Sequence, residues 1–308
     1  MQASVTAPVA ADPLSAGERR EIVRRILHWY GRNARDLPWR RPNATPWQVM
    51  VSEFMLQQTP VERVREPWRV WVERWPTPAA LAAAPAGEAV RAWGRLGYPR
   101  RALRLHAAAS MITDQHDGKV PADKEVLLRL PGVGAYTAAA ISTFAYSRRE
   151  VVLDTNVRRV LGRVSAGLAF PPPTVTAAES AQAQEFLPRQ GGRAARWAVA
   201  SMELGALICT ARSPRCASCP VRDLCRWQRS GFQTSPVARR RRGQTYEGTD
   251  RQCRGALLAA LRAGDEPLSN RALAEHWPDA TQRSRALASL ITDGLLIIAE
   301  DGHYRFPG

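Results

Sequence analysis

The sequence predicts a mainly α-helical fold, on three observations. From Ser15 to Leu207 apolar residues recur at helical spacing, segment after segment, with breaks that carry proline or glycine. β-Branched runs are scarce over that stretch, and only Val151–Leu153 has strand character. Nothing repeats at a fixed period, and no apolar run reaches the roughly 18 residues of a membrane-spanning helix.

The elements follow in order. Residues 1–14 are rich in Ala and Pro, lack the basic start and long apolar stretch of a secretory signal, and read as a disordered arm. Ser15 with Glu18 three residues on forms a capping box, and Ile22, Ile26, Leu27, Trp29 and Tyr30 supply the apolar face of the helix it opens. A loop, Arg35–Arg40, is closed by the Pro42–Pro46 stretch. Helices are expected at about 46–58, 61–75, 78–84, 86–95, 99–116, 123–129, 135–146 and 154–166. The Pro-rich link from Gly167 to Thr176 separates these from two more at about 176–187 and 192–207. The run Arg239–Arg242, followed by Gly243, marks a second boundary. Beyond it three short helices (250–262, 269–277, 281–293) and two strands (295–299, 303–306) joined at Glu300–Gly302 suggest a winged-helix-like module. Such modules bind DNA or other proteins. The expected organisation is an arm (1–14), a helical core (15–228), a basic linker (229–243) and the small module (244–308).

The chain has 308 residues, about two domains' worth by the usual prior of roughly 150 each. It carries 44 Lys+Arg against 28 Asp+Glu, a formal charge of +16, nearly all from arginine. Arginine's planar fork suits phosphate oxygens, so a polyanion, nucleic acid first, is the expected partner. Arg-rich and Ala-rich codon usage is the competing explanation of the same composition. Four of the five cysteines, Cys209, Cys216, Cys219 and Cys225, fall within 17 residues, a crowding that points to a metal site in a reducing compartment rather than to disulfides.

Three motifs carry chemistry. Four thiolates in one loop can hold Zn2+ or an iron–sulfur cluster. One close pair flanked by two singles differs from the two close pairs usual for structural zinc. Leu130–Thr137 is a glycine-punctuated turn entering a helix of small residues and reads as a helix–hairpin–helix. Gly132 and Gly134, around Val133, can take positive φ and leave backbone N–H groups at a helix N-terminus for a DNA phosphate. Such a hairpin grips backbone without reading sequence. Glu53, in the apolar helical stretch Val49–Leu56, is expected to have a raised pKa and to serve as a proton donor. Asp154, where Val151–Leu153 meets a helix, is expected to be held ionised by N–H groups. A neutral acid with an ionised carboxylate is the combination that cleaves glycosidic bonds through an oxocarbenium-like state. A surface helix position and a plain N-cap are the respective alternatives.

The cysteine spacing, the Leu-Pro-Gly-Val-Gly hairpin and Asp154 together resemble the endonuclease III superfamily of DNA glycosylases. Ser52–Thr59 (Ser-Glu-Phe-Met-Leu-Gln-Gln-Thr) and Arg35-Asp-Leu-Pro-Trp39 narrow the resemblance to its adenine DNA glycosylase branch, the MutY family, over residues 20–228. The resemblance implies a helix–hairpin–helix fold of two helical lobes with a [4Fe–4S] cluster on the loop 209–225. It implies double-stranded DNA carrying A:8-oxoG or A:G mispairs as substrate, and a monomer in the bacterial cytoplasm, associated with the nucleoid and not with membrane. It implies that Glu53 protonates the flipped adenine at N7 and later handles water, that Asp154 stabilises or transiently bonds the sugar cation, and that Asn156 orients both. Tyr136 stands where lyases of the superfamily carry a Schiff-base lysine, so base removal without strand cleavage is expected. Gln58 and Tyr98 match residues that wedge into the duplex. Gln57 and Thr59, on either side of Gln58, are expected to bind DNA or the base with it, and Arg35, Leu37 and Trp39 match the adenine-pocket loop.

The sequence also departs from that family. Thr155 replaces the usual glycine after the aspartate, and Val199 stands where many members place Gln or Glu near the base. Residues 244–308 are too short for the Nudix-like domain that inspects 8-oxoguanine in typical members, so the tail is expected to take a backbone-binding or a protein-binding role instead. Competing functions are a thymine/G mismatch or oxidised-pyrimidine glycosylase of the same superfamily, and a non-enzymatic iron–sulfur DNA-binding regulator. Cys253 stands apart from every motif.

Overall fold

The computed structural model describes residues 14–232 and 246–308. The expected arm up to residue 13 and the basic run Arg239–Arg242 lie outside the described residues. The helices, in chain order, are α1 (Ala16–Asn33), α2 (Pro46–Leu56), α3 (Val61–Arg74), α4 (Pro78–Ala82), α5 (Ala86–Ala92) and α6 (Arg100–Gln115). Next come α7 (Lys124–Leu127), α8 (Ala135–Tyr146), α9 (Thr155–Ala166), α10 (Ala177–Phe186), α11 (Gly191–Leu207) and α12 (Arg226–Arg229). The C-terminal residues form α13 (Asp250–Ala263), α14 (Asn270–His276), α15 (Ala280–Thr292), β1 (Ile297–Ile298) and β2 (Tyr304–Arg305). Among the described residues no helix is long and apolar enough to cross a membrane.

Local chemistry sets the helix starts. Ser15–Glu18, Thr45–Gln48 and Thr176–Glu179 each close a reciprocal capping box at α1, α2 and α10. Asp154, Ser269 and Asp279 cap α9, α14 and α15 with a side-chain oxygen. Gly167, with φ of 67°, ends α9 in the left-handed conformation that glycine adopts without strain.

Val151–Leu153 forms no strand. It runs extended into α9, and β-branched residues without a partner edge make no ladder. The one ladder among the described residues is antiparallel β1–β2, pairing Ile297 with Arg305 and Ile298 with Tyr304. This hairpin is shorter than the sequence suggests, because Leu295 N–H closes back on Leu290 O at the end of α15 rather than joining the ladder.

The described residues form two compact units: 14–35 with 147–232, and 36–146 with 246–308. In the first, α11 packs on α9 and α1, and Ile22, Ile26, Val160, Trp197 and Leu204 form the core. In the second, α2 packs on α3 and α8, α6 on α4 and α5, and α13 on α15. A tryptophan-rich core fills this unit: Trp39 lies edge-on to Trp68 at 5.6 Å, and Trp71 touches both Trp75 and Trp93. Residues 246–308 share that core, through Cys253, Leu257, Leu261, Leu290, Leu296 and Phe306. Cys253 is fully buried between α13 and α15 and acts as a small apolar filler, its thiol pushed up by burial.

Candidate functional site

Helix α2 is buried on every side: all residues from Trp47 to Met55 are buried except Gln48. Glu53 therefore does not sit on a solvent face, and it keeps only 5% of its surface exposed. The helix ends at Leu56. Gln57 donates toward the Thr137 hydroxyl of α8 at 3.4 Å, while Gln58, exposed, takes a positive φ of 56°. Thr59 is buried and donates to the Leu96 carbonyl.

A second turn in the same unit repeats this pattern. Gly97 and Tyr98 both have positive φ, and the Tyr98 ring is 55% exposed. A large aromatic held in a strained backbone conformation and left in solvent is unusual.

Arg101, which the sequence reading passed over, ties the two turns together. It is 6% exposed, and its Nη1 donates to the carbonyls of Phe54, Met55 and Gln57, the last turn of α2. Its Nη2 donates to Gly97 O and Thr59 Oγ1, and the guanidinium lies against the Tyr98 and Trp93 rings. Burial lowers its pKa to about 10, and it remains a cation at neutral pH. The doublet Arg100-Arg101 at a helix start was the one sequence signal, and it reads equally well as two surface cations.

The hairpin before α8 is as expected in part. Gly132 has φ of 80°, and a Cβ there would lie 2.8 Å from Arg104 Cβ and 2.9 Å from Phe54 Cε1, so both backbone and space demand glycine. Gly134 is not in the positive-φ region, but nothing lies within 4 Å of where its Cβ would be, so the backbone there is open to approach. Val133 points inward, with its side chain buried and its N–H closed onto Leu130 O. The anion-facing amides are thus those at the start of α8, beyond Gly134, since the first α8 bond closes from Ala138 to Gly134. Tyr136 lies in this first turn, half-buried.

In the other unit Asp154 caps α9. Its Oδ1 accepts from Val157 N–H at 2.6 Å and its Oδ2 from Asn156 Nδ2 at 2.7 Å. Asn156 Oδ1 in turn accepts from Arg159, which also donates to the carbonyls of Gly205 and Cys209. The N–H bonds expected from the sequence are present, yet they do not win. Desolvation is the largest influence and carries the Asp154 carboxyl above its ordinary value, with Val157, Asn156 and Arg159 pulling it back only in part. Close packing at Gly205, where a Cβ would meet Asn156 Cβ at 2.7 Å, holds α11 against this turn.

Arg35 does not reach outward. Its backbone N–H and guanidinium bind both oxygens of Glu203, which is fully buried on α11. A buried carboxylate this far along the chain gave no sequence signal linking it to Arg35. Leu37 and Trp39, further along the same loop, sit in the tryptophan-rich core. Val199 is half-buried on α11.

The four cysteines line one pocket with Val160, Arg163, Leu204, Ile208 and Trp227. Among the described residues no three His, Cys, Asp or Glu side chains gather closely enough for a single ion, as a tetrahedral zinc would require. Thiols spaced around an enclosed pocket instead suit a polynuclear core. Burial raises the thiols of Cys216 and Cys225 and pushes Cys219 up to about 12, so bare thiolates are disfavoured until iron holds them. Arg163 is 1% exposed, donates to Cys209 Sγ at 3.3 Å and stacks over Trp227, adding a fixed positive charge beside the donors. The donor set fits a [4Fe–4S] cluster, which these four cysteines would hold. Of the arginines in the cysteine loop, Arg226 is partly buried and donates to Ser165 O, Arg215 is exposed but tied to Leu207 O, and Arg212 and Arg222 are exposed.

A buried acid, a glycine hairpin entering a helix and a four-cysteine pocket define a class, and comparison with known proteins agrees. The HhH-GPD superfamily of base excision DNA repair proteins matches residues 51–184, and the iron–sulfur binding domain of endonuclease III matches residues 209–225. The fold is similar to that of endonuclease III in a non-covalent complex with DNA, with a TM-score of 0.61 and 22% identity over 71% of this chain and 99% of that one. The chain is 48% identical over 301 residues to the adenine DNA glycosylase of Mycobacterium tuberculosis, covering 97% of this chain and 98% of that protein. It is 50% identical to that of Mycolicibacterium smegmatis, over 92% and 95%. The chain belongs to the adenine DNA glycosylase family.

Proposed function

We propose that the protein is a monofunctional adenine DNA glycosylase of base excision repair. It hydrolyses the N-glycosidic bond of adenine mispaired with 8-oxoguanine or guanine in duplex DNA, as a monomer in the cytoplasm. The observation that carries this reading is the unlike setting of two carboxyls: Glu53 enclosed in a largely buried helix, and Asp154 fastened at a helix cap by two N–H donors. Family membership supports the choice of adenine.

In this reading Glu53 delivers its proton to adenine N7. The bond from C1′ to N9 then breaks with its electron pair leaving on the base, and positive charge spreads over C1′ and the ring oxygen. Asp154 stabilises that cation with its carboxylate, and Asn156 fixes the Oδ2 orientation. Water adds to C1′ and returns a proton to Glu53. Tyr136 has no amine with which to form an imine, so β-elimination does not follow.

Gln58 and Tyr98 enter the stack in place of the extruded base, repaying part of an unstacking cost of a few kcal/mol. Both are exposed, and both are held at positive φ by the same buried arginine network. The first turn of α8, with the hairpin Gly132–Val133–Gly134, receives a phosphate. The cluster, when bound to Cys209, Cys216, Cys219 and Cys225, supplies a fixed fold for the loop that offers Arg212 and Arg222 to the duplex. Arg35, Leu37 and Trp39 are assigned to the adenine-binding loop on the family resemblance, with Arg35 held by Glu203 and Leu37 and Trp39 packed in the core.

Single-turnover assays on A:8-oxoG, A:G, T:G and thymine-glycol duplexes, with and without alkali, test the reading. Adenine release from the first two, with strand breaks only after alkali, is the expected result. Release of thymine without adenine, or breaks without alkali, overturns it.

A further inference from the structure

We infer that residues 246–308 brace the Gly97–Pro99 turn, and so position Tyr98 for base extrusion, rather than reading DNA themselves. The inference rests on the glycosylase reading above.

The charge of this segment is the first observation. Residues 246–308 hold seven arginines, no lysine and nine carboxylates, a formal charge of −2, whereas residues 1–245 carry +18. Most of those seven arginines are also committed. Arg254 binds Asp293, Arg285 binds Asp250, and Arg262 and Arg283 are turned to backbone carbonyls. The tip of the hairpin is Glu300-Asp301. A module that laid its wing along phosphates would need the opposite sign there.

The second observation is what the segment grips. At the far end of the chain, Pro307 O accepts from Gly87 N–H at 2.9 Å, in the first turn of α5. A Cβ on Gly87 would stand 2.2 Å from that oxygen and 2.7 Å from Phe306 Cβ, so the fit requires glycine. From α5, Arg91 reaches back over the Phe306 ring and donates to the carbonyls of Leu261 and Gly264, closing the C-terminal end of α13. Arg262 returns a bond to Val90 O. On the other side of the turn, Arg100 at the start of α6 pairs with Asp293 at 3.2 Å, and Arg254 holds the second oxygen of Asp293.

The segment thus holds both helices that flank residues 93–99, one on each side of the exposed, strained Tyr98. The interior of the turn is fastened separately, by Arg101 and by Trp93 Nε1 donating to Gly97 O. With both helices anchored, the turn has a fixed base from which an aromatic ring can be driven into a base stack.

A double-mutant cycle tests this. Asp293→Ala and Gly87→Ala each should slow single-turnover adenine release about 5- to 10-fold, with little further loss when either is combined with Tyr98→Ala. Duplex affinity and its salt slope should stay unchanged, and Asp293→Glu should restore the rate. Losses that multiply fully in the Tyr98→Ala background, or a weaker affinity with a shallower salt slope, overturn the brace. Where Gly87→Ala does not fold, Asp293→Ala carries the cycle alone. Amide hydrogen exchange over residues 94–100 reads the same point without catalysis: faster exchange in Asp293→Ala supports the brace, and unchanged exchange overturns it. Failure of the wild-type chain to release adenine would instead overturn the glycosylase reading.

Discussion

Asp154 has two opposed demands on one side chain. Helix capping and the Asn156 amide favour its charged form, and burial disfavours it more strongly. A carboxyl whose pKa is raised on folding contributes its stability in full below the unfolded value of 3.8, and that contribution is lost as pH rises through the folded value. Unfolding free energy of the wild type relative to Asp154→Asn should therefore fall as pH rises above about 4 and then level off, which denaturant melts across pH 4.5–7 would show. The substitution keeps an oxygen for Val157 N–H but removes the charge, and base release should drop by roughly 10²- to 10³-fold in single-turnover assays. Glu53→Gln should cost about 10²- to 10⁴-fold, since an amide cannot donate the proton, with duplex affinity little changed. Arg101→Met would strand several carbonyls at the end of α2 and in the Tyr98 turn, each worth about 1–3 kcal/mol when left unpaired. Thermal or urea unfolding should report a loss of about 3 kcal/mol or more, and base flipping should fail before binding does.

At the scale of elements, the hairpin before α8 shows why a short motif carries more than its letters. Gly132 is required by its φ and by the approach of Arg104 and Phe54, whereas Gly134 is required by neither and leaves space for a ligand. Gly132→Ala should thus destabilise the fold by about 2–4 kcal/mol, from a strained φ plus overpacking, visible as a lower melting temperature. Gly134→Ala should leave stability nearly unchanged and weaken duplex binding instead. The helices themselves were legible because their caps are written locally: Ser15/Glu18, Thr45/Gln48 and Thr176/Glu179 are three residues apart and need no tertiary partner. Val151–Leu153 misled for the converse reason, since a strand exists only where another edge pairs with it.

At the scale of the whole molecule, charge and core are distributed differently along the chain. The net +16 is concentrated before residue 246, while the tryptophan-rich core draws on residues on both sides of that point. Duplex affinity should fall log-linearly with salt as phosphate contacts release counterions, while the ratio of A:8-oxoG to A:G cleavage should stay constant, a pairing that titrations at several ionic strengths would check. Amino-acid order by itself determined the helical class, the Ser15–Glu18 capping box, the crowding of four cysteines in one loop and the candidate acids. These rest on spacing and residue chemistry, which are local. Only the tertiary structure decided that Asp154 is raised rather than lowered, that Arg35 is spent on Glu203, that Arg101 joins two exposed turns, and that the C-terminal helices complete a core begun at Leu37. Each depends on which distant groups share a buried volume, where desolvation and unpaired polar atoms set the energies, and sequence spacing carries no record of that.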